Sequence, residues 1–492
     1  MKERNVNKGQ TMLDRLKARK IGLVFLSVQA LLTVVLTTLL IMIKFFKPLY
    51  IFAIASVLIA LLVLMVMGQG SRGKAHIPFK VVIALFCVLL CVGSYYIYIG
   101  YDTSKTVTDS KVTNEFQVIV LKDSPAEKLE DVKDEEFGVD ITQKHDAYTK
   151  TLEKIQNELA EEISTREYID SLSLVQALYN KECNVIILNS ALLSDITEEY
   201  PNFNSETRVL NTYQHVTSTT NNNRVNSITE EPFSVFISGI DTYGDISNTS
   251  RSDVNMIATI NPKTKQILLT STPRDYFVKT SVSGDKYDKL THAGIYGVEC
   301  SVETLEMLYG IKINYYAKVN FTGFEAMVDA LGSITIHSDY DFTAQHGETF
   351  KEGENVVDGK KALAFARERH AFPSGDLQRN KNQQEIVKAI IKKIASPAIL
   401  SSFTSIMDAV KDNVLMNIKY DEIAALVQMQ LDEGSSWNIS TFGVSGKGGS
   451  STTYSNQSKA GYVMYIDEEK IQEAKGYIEQ VLNGEIPNIV KK

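Results

Sequence analysis

Three arginines fall within the twenty-one residues of "FARERHAFPSGDLQRNKNQQE", residues 365–385, together with Asp376 and Gln383. A guanidinium presents its donors as a planar fork that matches phosphate oxygens two at a time, so clustered arginines suit a phosphate group better than lysines would. Arg274, near the end of the strand-like run "QILLTSTPRD", and Arg251, in "SRSD", add forks from separate segments. Carboxylates accompany them: Asp241 closes "FSVFISGID", Asp253 follows Arg251 by two residues, and Asp376 precedes Arg379 by three. Carboxylates at strand ends hold divalent cations, which in turn bridge phosphate oxygens. Convergence of Arg274, Arg367, Arg369 and Arg379, with Asp241, Asp253 and Asp376 beside them, describes a candidate polyphosphate site.

Convergence constrains the chain. "VDGKKALAFA" (357–366) has a helical pattern, but two residues two apart diverge by about 200° on a helix. If Arg367 and Arg369 serve one site, the backbone is extended there. From Asp376 onward, Asp376, Arg379 and Gln383 recur at i, i+3 and i+7 on one helical face. Ser374 or Asp376 is expected to cap that helix, with Pro373 and Gly375 in the loop before it. Arg251 and Asp253 read as one face of an extended strand opening the hairpin "SDVNMIATI", "NPKTK", "QILLTSTPRD". Further on, "VETLEMLYG", "INYYAKVN", "FTGFEAMVDALG" and "SITIHSDY" alternate helical and strand patterns, which predicts an α/β domain with helices packed on a mixed central sheet over residues 232–492. His292 in "THAG" and His370 form no metal set, and Lys289 lies near enough in sequence to approach the phosphates.

Upstream, residues 106–216 read as a smaller α/β unit: a strand at 115–122, an amphipathic helix at 145–163, a helix over "SLVQALYN", a strand at 184–189 and another over "ETRVLNTYQHV". Its acidic runs, "EEFGVD" among them, read as solvated faces. A polar linker spans residues 217–231. Before all this, residues 22–43, 48–67 and 81–101 are each about 20 residues long without a charge, enough to cross a bilayer. Lys2, Arg4, Lys8, Arg15, Lys17, Arg19 and Lys20 precede the first span, against Lys44 and Lys47 in the loop after it, so residues 1–21 are expected in the cytoplasm and everything after Tyr101 outside. That topology opposes a transcriptional regulator. A net charge of −8 argues against nucleic acid as a partner. Cys87 and Cys91 fall in the third span, and Cys183 and Cys300 read as buried small apolar residues rather than a disulfide.

"SRSDVNMIATINPKTKQILLTSTPRD", "DKLTHAGIYG", "NFTGFEAMVDALGSI", "VDGKKALAFARERH" and "GDLQRNKNQQE" follow one another in an order and spacing that resembles the LytR-CpsA-Psr family of Gram-positive envelope proteins, over residues 233–401. The three spans and the small extra unit are similar to its capsule-locus, CpsA/Wzg-like subgroup, where that unit is called the accessory domain. The resemblance implies a multi-pass cell-membrane protein with an extracellular phosphotransferase domain. Such a domain takes a polyprenyl diphosphate-linked glycan, the lipid tail in a hydrophobic tunnel, and transfers the glycan, here capsular polysaccharide, onto peptidoglycan. Asp241 and Asp253 would hold Mg²⁺ or Mn²⁺; Arg251, Arg274, Arg367, Arg369, Arg379 and Gln383 would surround the diphosphate; Asp376 would orient the arginines. Arg274, Arg367, Arg369, Asp376 and Arg379 form the implied catalytic set, with membrane lipid and capsule assembly proteins as further partners. The alternative is a polyprenyl-phosphate-binding protein, pyrophosphatase or regulator of capsule assembly without ligase activity. One departure stands out: the family pattern carries another arginine where this sequence has Asn382, beside Lys381. Either the cation count is lower by one or Lys381 partly substitutes. The general base stays open between Asp253 and Asp376.

Overall fold

The computed structural model describes residues 11–107, 111–218, 223–241, 245–345, 347–396 and 399–489. They fall into two compact units: Met1–Thr106, Leu400–Asp408 and Lys419–Gly434 form one, and Val107–Ile399, Ala409–Ile418 and Ser435–Lys492 the other.

The first unit holds the apolar segments as helices Lys20–Ile43, Pro48–Gln69 and Ile77–Val107. All three are long and apolar enough to cross a membrane. Lys44 and Lys47, in the first loop, pair with Asp421 (2.8 Å) and Asp432 (2.9 Å) of the helix Tyr420–Glu433, and Tyr420 donates its hydroxyl to the Ile43 carbonyl at 2.7 Å. At the other end, Arg15 and Arg19 donate to the Gly70 and Ser71 carbonyls at 2.9 and 3.0 Å. The first loop thus shares an end with chain that follows the third helix, and the N-terminal helix with the second loop. Lys2, Arg4 and Lys8 lie outside the described residues.

In the second unit, a five-stranded sheet takes the order Thr165–Tyr168, Phe137–Asp140, Val185–Asn189, Lys111–Leu121, Thr207–Ser218. The helix expected at 145–163 runs Asp146–Leu159, with the His145 ring as its cap. The last strand runs through Ser218, two residues into the expected linker, and residues 219–222 lie outside the described set. One expectation is overturned: "EEFGVD" is not a solvated face, because Phe137–Asp140 is a strand buried at all four positions. Four residues are too few to show a period, and apolar neighbours on both sides hide the alternation that marks a half-exposed strand. Cys183 and Cys300 are buried and unpaired, and burial pushes the Cys300 thiol up to about 11.

Asp140 ends that buried strand. Its Oδ1 accepts from the Thr142 N–H and hydroxyl (2.7 and 2.8 Å), while Oδ2 has no hydrogen-bond partner among the described residues. Burial pushes its carboxyl up to about 7, with nearby Asp170 adding to the rise against the Thr142 bonds. Between the ordinary carboxyl range near 4 and about 7, the folded protein therefore binds more protons than the unfolded chain, and stability falls as pH rises through that window. Thermal unfolding between pH 4.5 and 7.5 should show this loss in the wild type and a much flatter profile in Asp140→Asn. Equal slopes in both would remove Asp140 as the cause.

The second sheet is mixed and six-stranded, in the order Val414–Met416, Tyr315–Val319, Phe233–Gly239, Val254–Asn261, Gln266–Thr272, Asn438–Gly443. The expected hairpin pairs Asn255 with Thr272 through Asn261 with Gln266. Phe236, Ile257 and Leu268 share a core with Val302 and Leu305 of the helix Val298–Tyr309 and with Ile471 and Ile478 of the helix Glu468–Leu482. Register fixes where chemistry can sit. Gly239 pairs with both Val254 and Val319, and Thr272 lies opposite Asn255, so Asp241, Asp253, Arg274 and Asn320 all leave the sheet at one end.

Candidate functional site

At that end of the sheet a cavity of about 320 Å³ is lined by Asp241, Arg251, Asp253, Arg274, Arg367, Arg369, Arg379 and Gln383. Eight of the nine residues singled out by sequence meet there. The ninth, Asp376, stands behind them and bonds to Arg379 at 3.2 Å and faces Arg369 at 3.9 Å. Ile237, Val254, Val319, Phe324, Leu363 and Ile386 give the cavity an apolar wall as well.

Each group arrives by a traceable route. Asp358 caps the helix Gly359–Arg367 by accepting from the Lys361 N–H. That helix ends at Arg367, Glu368 is extended (φ −66°, ψ 129°), and the chain brings Arg369 back to the same cavity as the spacing of the two arginines demanded. Glu368 makes this turn. Buried at 4% exposure, it accepts from the backbone N–H groups of Gln345 (2.7 Å), His370 (2.7 Å) and Ala371 (2.9 Å). Burial alone would raise its carboxyl, but these backbone donors outweigh it and hold the group below the ordinary range. The helix Asp376–Ile394 then presents Asp376, Arg379 and Gln383. Neither Ser374 nor Asp376 caps it, contrary to expectation: Gly375, at φ +50°, stands in the cap position without a side-chain bond, and the Asp376 carboxylate is spent on arginines instead.

Arg251 and Asp253 also reach the cavity by a different route from the one expected. The strand begins only at Val254, so the two do not share a strand face. They sit on a loop held by the "THAG" segment. Ser252 N–H donates to the Thr291 carbonyl (3.0 Å), the Thr291 hydroxyl donates to Asp253 (3.3 Å), and Thr291 N–H donates to the Arg274 carbonyl (2.9 Å). Gly294 allows the approach, since a Cβ there would stand 2.4 Å from the Ser250 carbonyl oxygen. His292 is buried and bonded to Asp288 at 2.6 Å, a structural partner that the sequence did not reveal. Lys289 reaches Asp275 (3.2 Å), which lies 3.7 Å from Arg274, so it buttresses the site from one carboxylate away.

Electrostatically the site is crowded. Arg274 pairs with Asp253 at 2.7 Å. Burial would raise the Asp253 carboxyl, but Arg274 and Arg251 hold it below its ordinary value. Arg379 is pulled down, by burial first and by neighbouring Arg274, despite Asp376. Arg367 lies over the Phe321 ring (4.3 Å) and 3.5 Å from Asp241. Among the described residues the Nε donors of Arg274 and Arg379 are buried without a hydrogen-bond partner, Asp275 standing 3.7 Å from that of Arg274. A buried donor left unpaired is costly, and two on neighbouring cations point to an anionic occupant.

Asn382 does not face the cavity. It is buried, donates to the Phe365 carbonyl (3.2 Å) and accepts from Gln378 (3.1 Å), so it ties two helices together. Lys381 is exposed and does not line the cavity, which leaves the cation count lower by one. Among the described residues no cluster of three or more metal-ligating side chains occurs. Asp241 and Asp253 nevertheless each keep one oxygen without a bonded partner among those residues. Two carboxylates, with phosphate oxygens and water completing the shell, is a donor set that fits Mg²⁺.

A model of the LytR_cpsA_psr family matches residues 200–479. A Bacillus mycoides protein named polyisoprenyl-teichoic acid–peptidoglycan teichoic acid transferase TagU is 39% identical over 194 residues, covering 39% of this chain and 62% of that protein. An Enterococcus faecalis protein of the same name is 36% identical over 203 residues, covering 41% and 66%. This chain therefore spans a little under two thirds of the length of each. The crystal structure of Bacillus subtilis TagV aligns with a TM-score of 0.44 at 28% identity, covering 52% of this chain and 98% of that one.

Proposed function

Since this chain belongs to the LytR-CpsA-Psr family, we propose that it is a membrane-anchored transferase that moves a glycopolymer from a polyisoprenyl diphosphate carrier onto peptidoglycan, with a capsular polysaccharide as the polymer. The observation that carries the reading is the pair of buried guanidinium Nε donors on Arg274 and Arg379 that lack a hydrogen bond among the described residues, in a cavity that also has an apolar wall of Ile237, Val254, Val319, Phe324, Leu363 and Ile386. The first suits a diphosphate and the second the start of a lipid chain. Three spans and a second small sheet ahead of the cavity favour the capsule-locus subgroup. Cations before the first span favour a cytoplasmic N-terminus and an extracellular cavity.

In this reading the arginines hold the diphosphate while an acceptor sugar hydroxyl attacks the phosphorus attached to the polymer. One P–O bond forms, the bond from that phosphorus to the bridging oxygen breaks, polyisoprenyl monophosphate leaves with the bridging oxygen, and the hydroxyl proton goes to water. Such transition states are loose, so positioning and charge neutralisation matter more than a strong base. Both Asp376 oxygens face guanidiniums, which makes it an orienting group for Arg369 and Arg379. Mg²⁺ held by Asp241 and Asp253 would supply further neutralisation of phosphate charge.

The test is purified full-length protein in detergent, given a polyprenyl-diphosphate glycan and a peptidoglycan fragment, with and without a chelator. Coupled appearance of the polymer–peptidoglycan phosphodiester and polyprenyl monophosphate is expected, lost in Asp253→Asn and on chelation. Monophosphate release without coupling would instead indicate a pyrophosphatase, and tight binding without release a carrier protein.

A further inference from the structure

Arg251 lines the cavity, yet its Nη1 is already taken by two carboxylates from another part of the fold. It donates to Asp195 at 2.5 Å and to Glu198 at 3.2 Å, both on the helix Leu193–Glu199 that packs on the five-stranded sheet. The two acids differ in how they are held. Asp195 is 22% exposed and is backed by the buried His292 at 3.8 Å, which Asp288 fixes in turn. Glu198 is 71% exposed, has no other polar partner among the described residues, and itself lines the cavity. Separate bonds hold the helix and its sheet in place: Thr113 N–H to the Ser247 carbonyl (2.8 Å), Ser458 N–H to Asp170 (2.6 Å), and Gln143 to the Tyr296 hydroxyl (3.2 Å).

Charge shows why this matters. Five arginines line the cavity, and six carboxylates pair with them: Asp195, Glu198, Asp241, Asp253, Asp275 and Asp376. An incoming diphosphate meets a site whose positive charge is already answered. Asp376 comes from the same helix as Arg379 and Asp253 from the same hairpin as Arg274, whereas Asp195 and Glu198 come from the smaller sheet's segment.

We propose that Asp195 and Glu198 are positioning residues through which the smaller domain sets how tightly the donor's diphosphate is held: Asp195 anchors Arg251, and Glu198 occupies the place at its fork that a phosphate oxygen would otherwise take. Donor binding displaces Glu198, and its return to Arg251 helps polyisoprenyl monophosphate leave. This rests on the diphosphate reading of the cavity given above.

Inorganic pyrophosphate is the probe, titrated calorimetrically into the full-length protein in detergent with Mg²⁺. Glu198→Gln should tighten binding roughly threefold, as for a largely exposed ion pair. Adding Asp195→Asn should give back part of that gain, since Arg251 then loses the closer and less exposed carboxylate that anchors it. Neither change should alter affinity in an Arg251→Gln background. In turnover, KM for the donor and kcat should fall together, because product is retained as substrate is. A misfolded variant does not gain affinity, so a gain has no merely structural explanation. Unchanged or weaker binding by Glu198→Gln would overturn the inference and leave the two acids as props that pre-orient Arg251. If the wild type binds no pyrophosphate and Arg274→Gln changes nothing, the diphosphate reading itself fails, and this inference with it.

Discussion

Replacing Arg379 by glutamine should cut transfer roughly 10²- to 10³-fold, the usual cost of one preorganised donor aimed at developing charge, while leaving stability unchanged or slightly raised. The two halves of that expectation have separate causes. Arg379 is 11% exposed, its Nε has no hydrogen-bond partner among the described residues, and burial together with Arg274 already disfavours its charge. Removing it relieves that repulsion and leaves Asp376 with only a distant guanidinium, at 25% exposure, where an unpaired carboxylate costs little. A group strained in the free protein and used only by the ligand is the pattern expected at a functional site. Arg274→Gln makes the contrast. It would leave Asp253, 13% exposed, without its 2.7 Å partner, and breaking a buried pair typically costs about 3–5 kcal/mol. Arg274→Gln should therefore lose both activity and melting temperature, and Arg379→Gln activity alone. Paired thermal melts and transfer rates decide it. A clear drop in melting temperature for Arg379→Gln, or near-normal transfer, would mean that Arg379 holds the fold together and not the substrate.

Much of this site could be read from sequence because its signals were local. The i, i+3, i+7 spacing of Asp376, Arg379 and Gln383 needed only a helix, and the helix Asp376–Ile394 is there. Two arginines flanking Glu368 needed a break in a helix, and the chain leaves the helix at that residue. Three uncharged runs needed only a bilayer's thickness. What escaped was whatever depended on distant or backbone partners. Asp195 and Glu198 stand 56 and 53 residues before Arg251, in helix positions that look like any solvated acid. Glu368 carried no signal in the sequence, because the groups that fix it are backbone N–H donors, which no side-chain pattern shows. The buried strand Phe137–Asp140 hid behind the two glutamates before it. Asp253 reached the cavity for a reason other than strand alternation: a glycine and a threonine in "THAG" let its loop lie down, and their role lies in contacts rather than in chemistry.

Arg367→Lys and Arg369→Lys ask whether the cations at the cavity mouth act as forks or as charges. Both are more than a third exposed, so their ion pairs with Asp241 (3.5 Å) and Asp376 (3.9 Å) add little to the stability of the free protein. Melting temperatures should hardly move. Lysine keeps the charge but loses the planar pair of donors, a difference of about 1.5–3 kcal/mol for hydrogen bonds to a charged group. Transfer should fall roughly ten- to a hundredfold in each variant. Arg367→Lys should show the larger loss, because the guanidinium also stacks 4.3 Å above the Phe321 ring, and a lysine ammonium does not reproduce that flat contact. Arg369 sits beside His370, whose Nε2 is 3.3 Å from its Nε, so its fork is partly committed before substrate arrives. Arg166→Lys, in the five-stranded sheet, is the control, since its guanidinium meets the Glu182 carbonyl and the Tyr168 ring and does not line the cavity. A merely solvated cationic stretch would treat all three substitutions alike. Wild-type transfer rates in both cavity variants, with unchanged pyrophosphate affinity, would show that the arginines at the mouth attract the donor without gripping it, and would leave the transition state to Arg274 and Arg379.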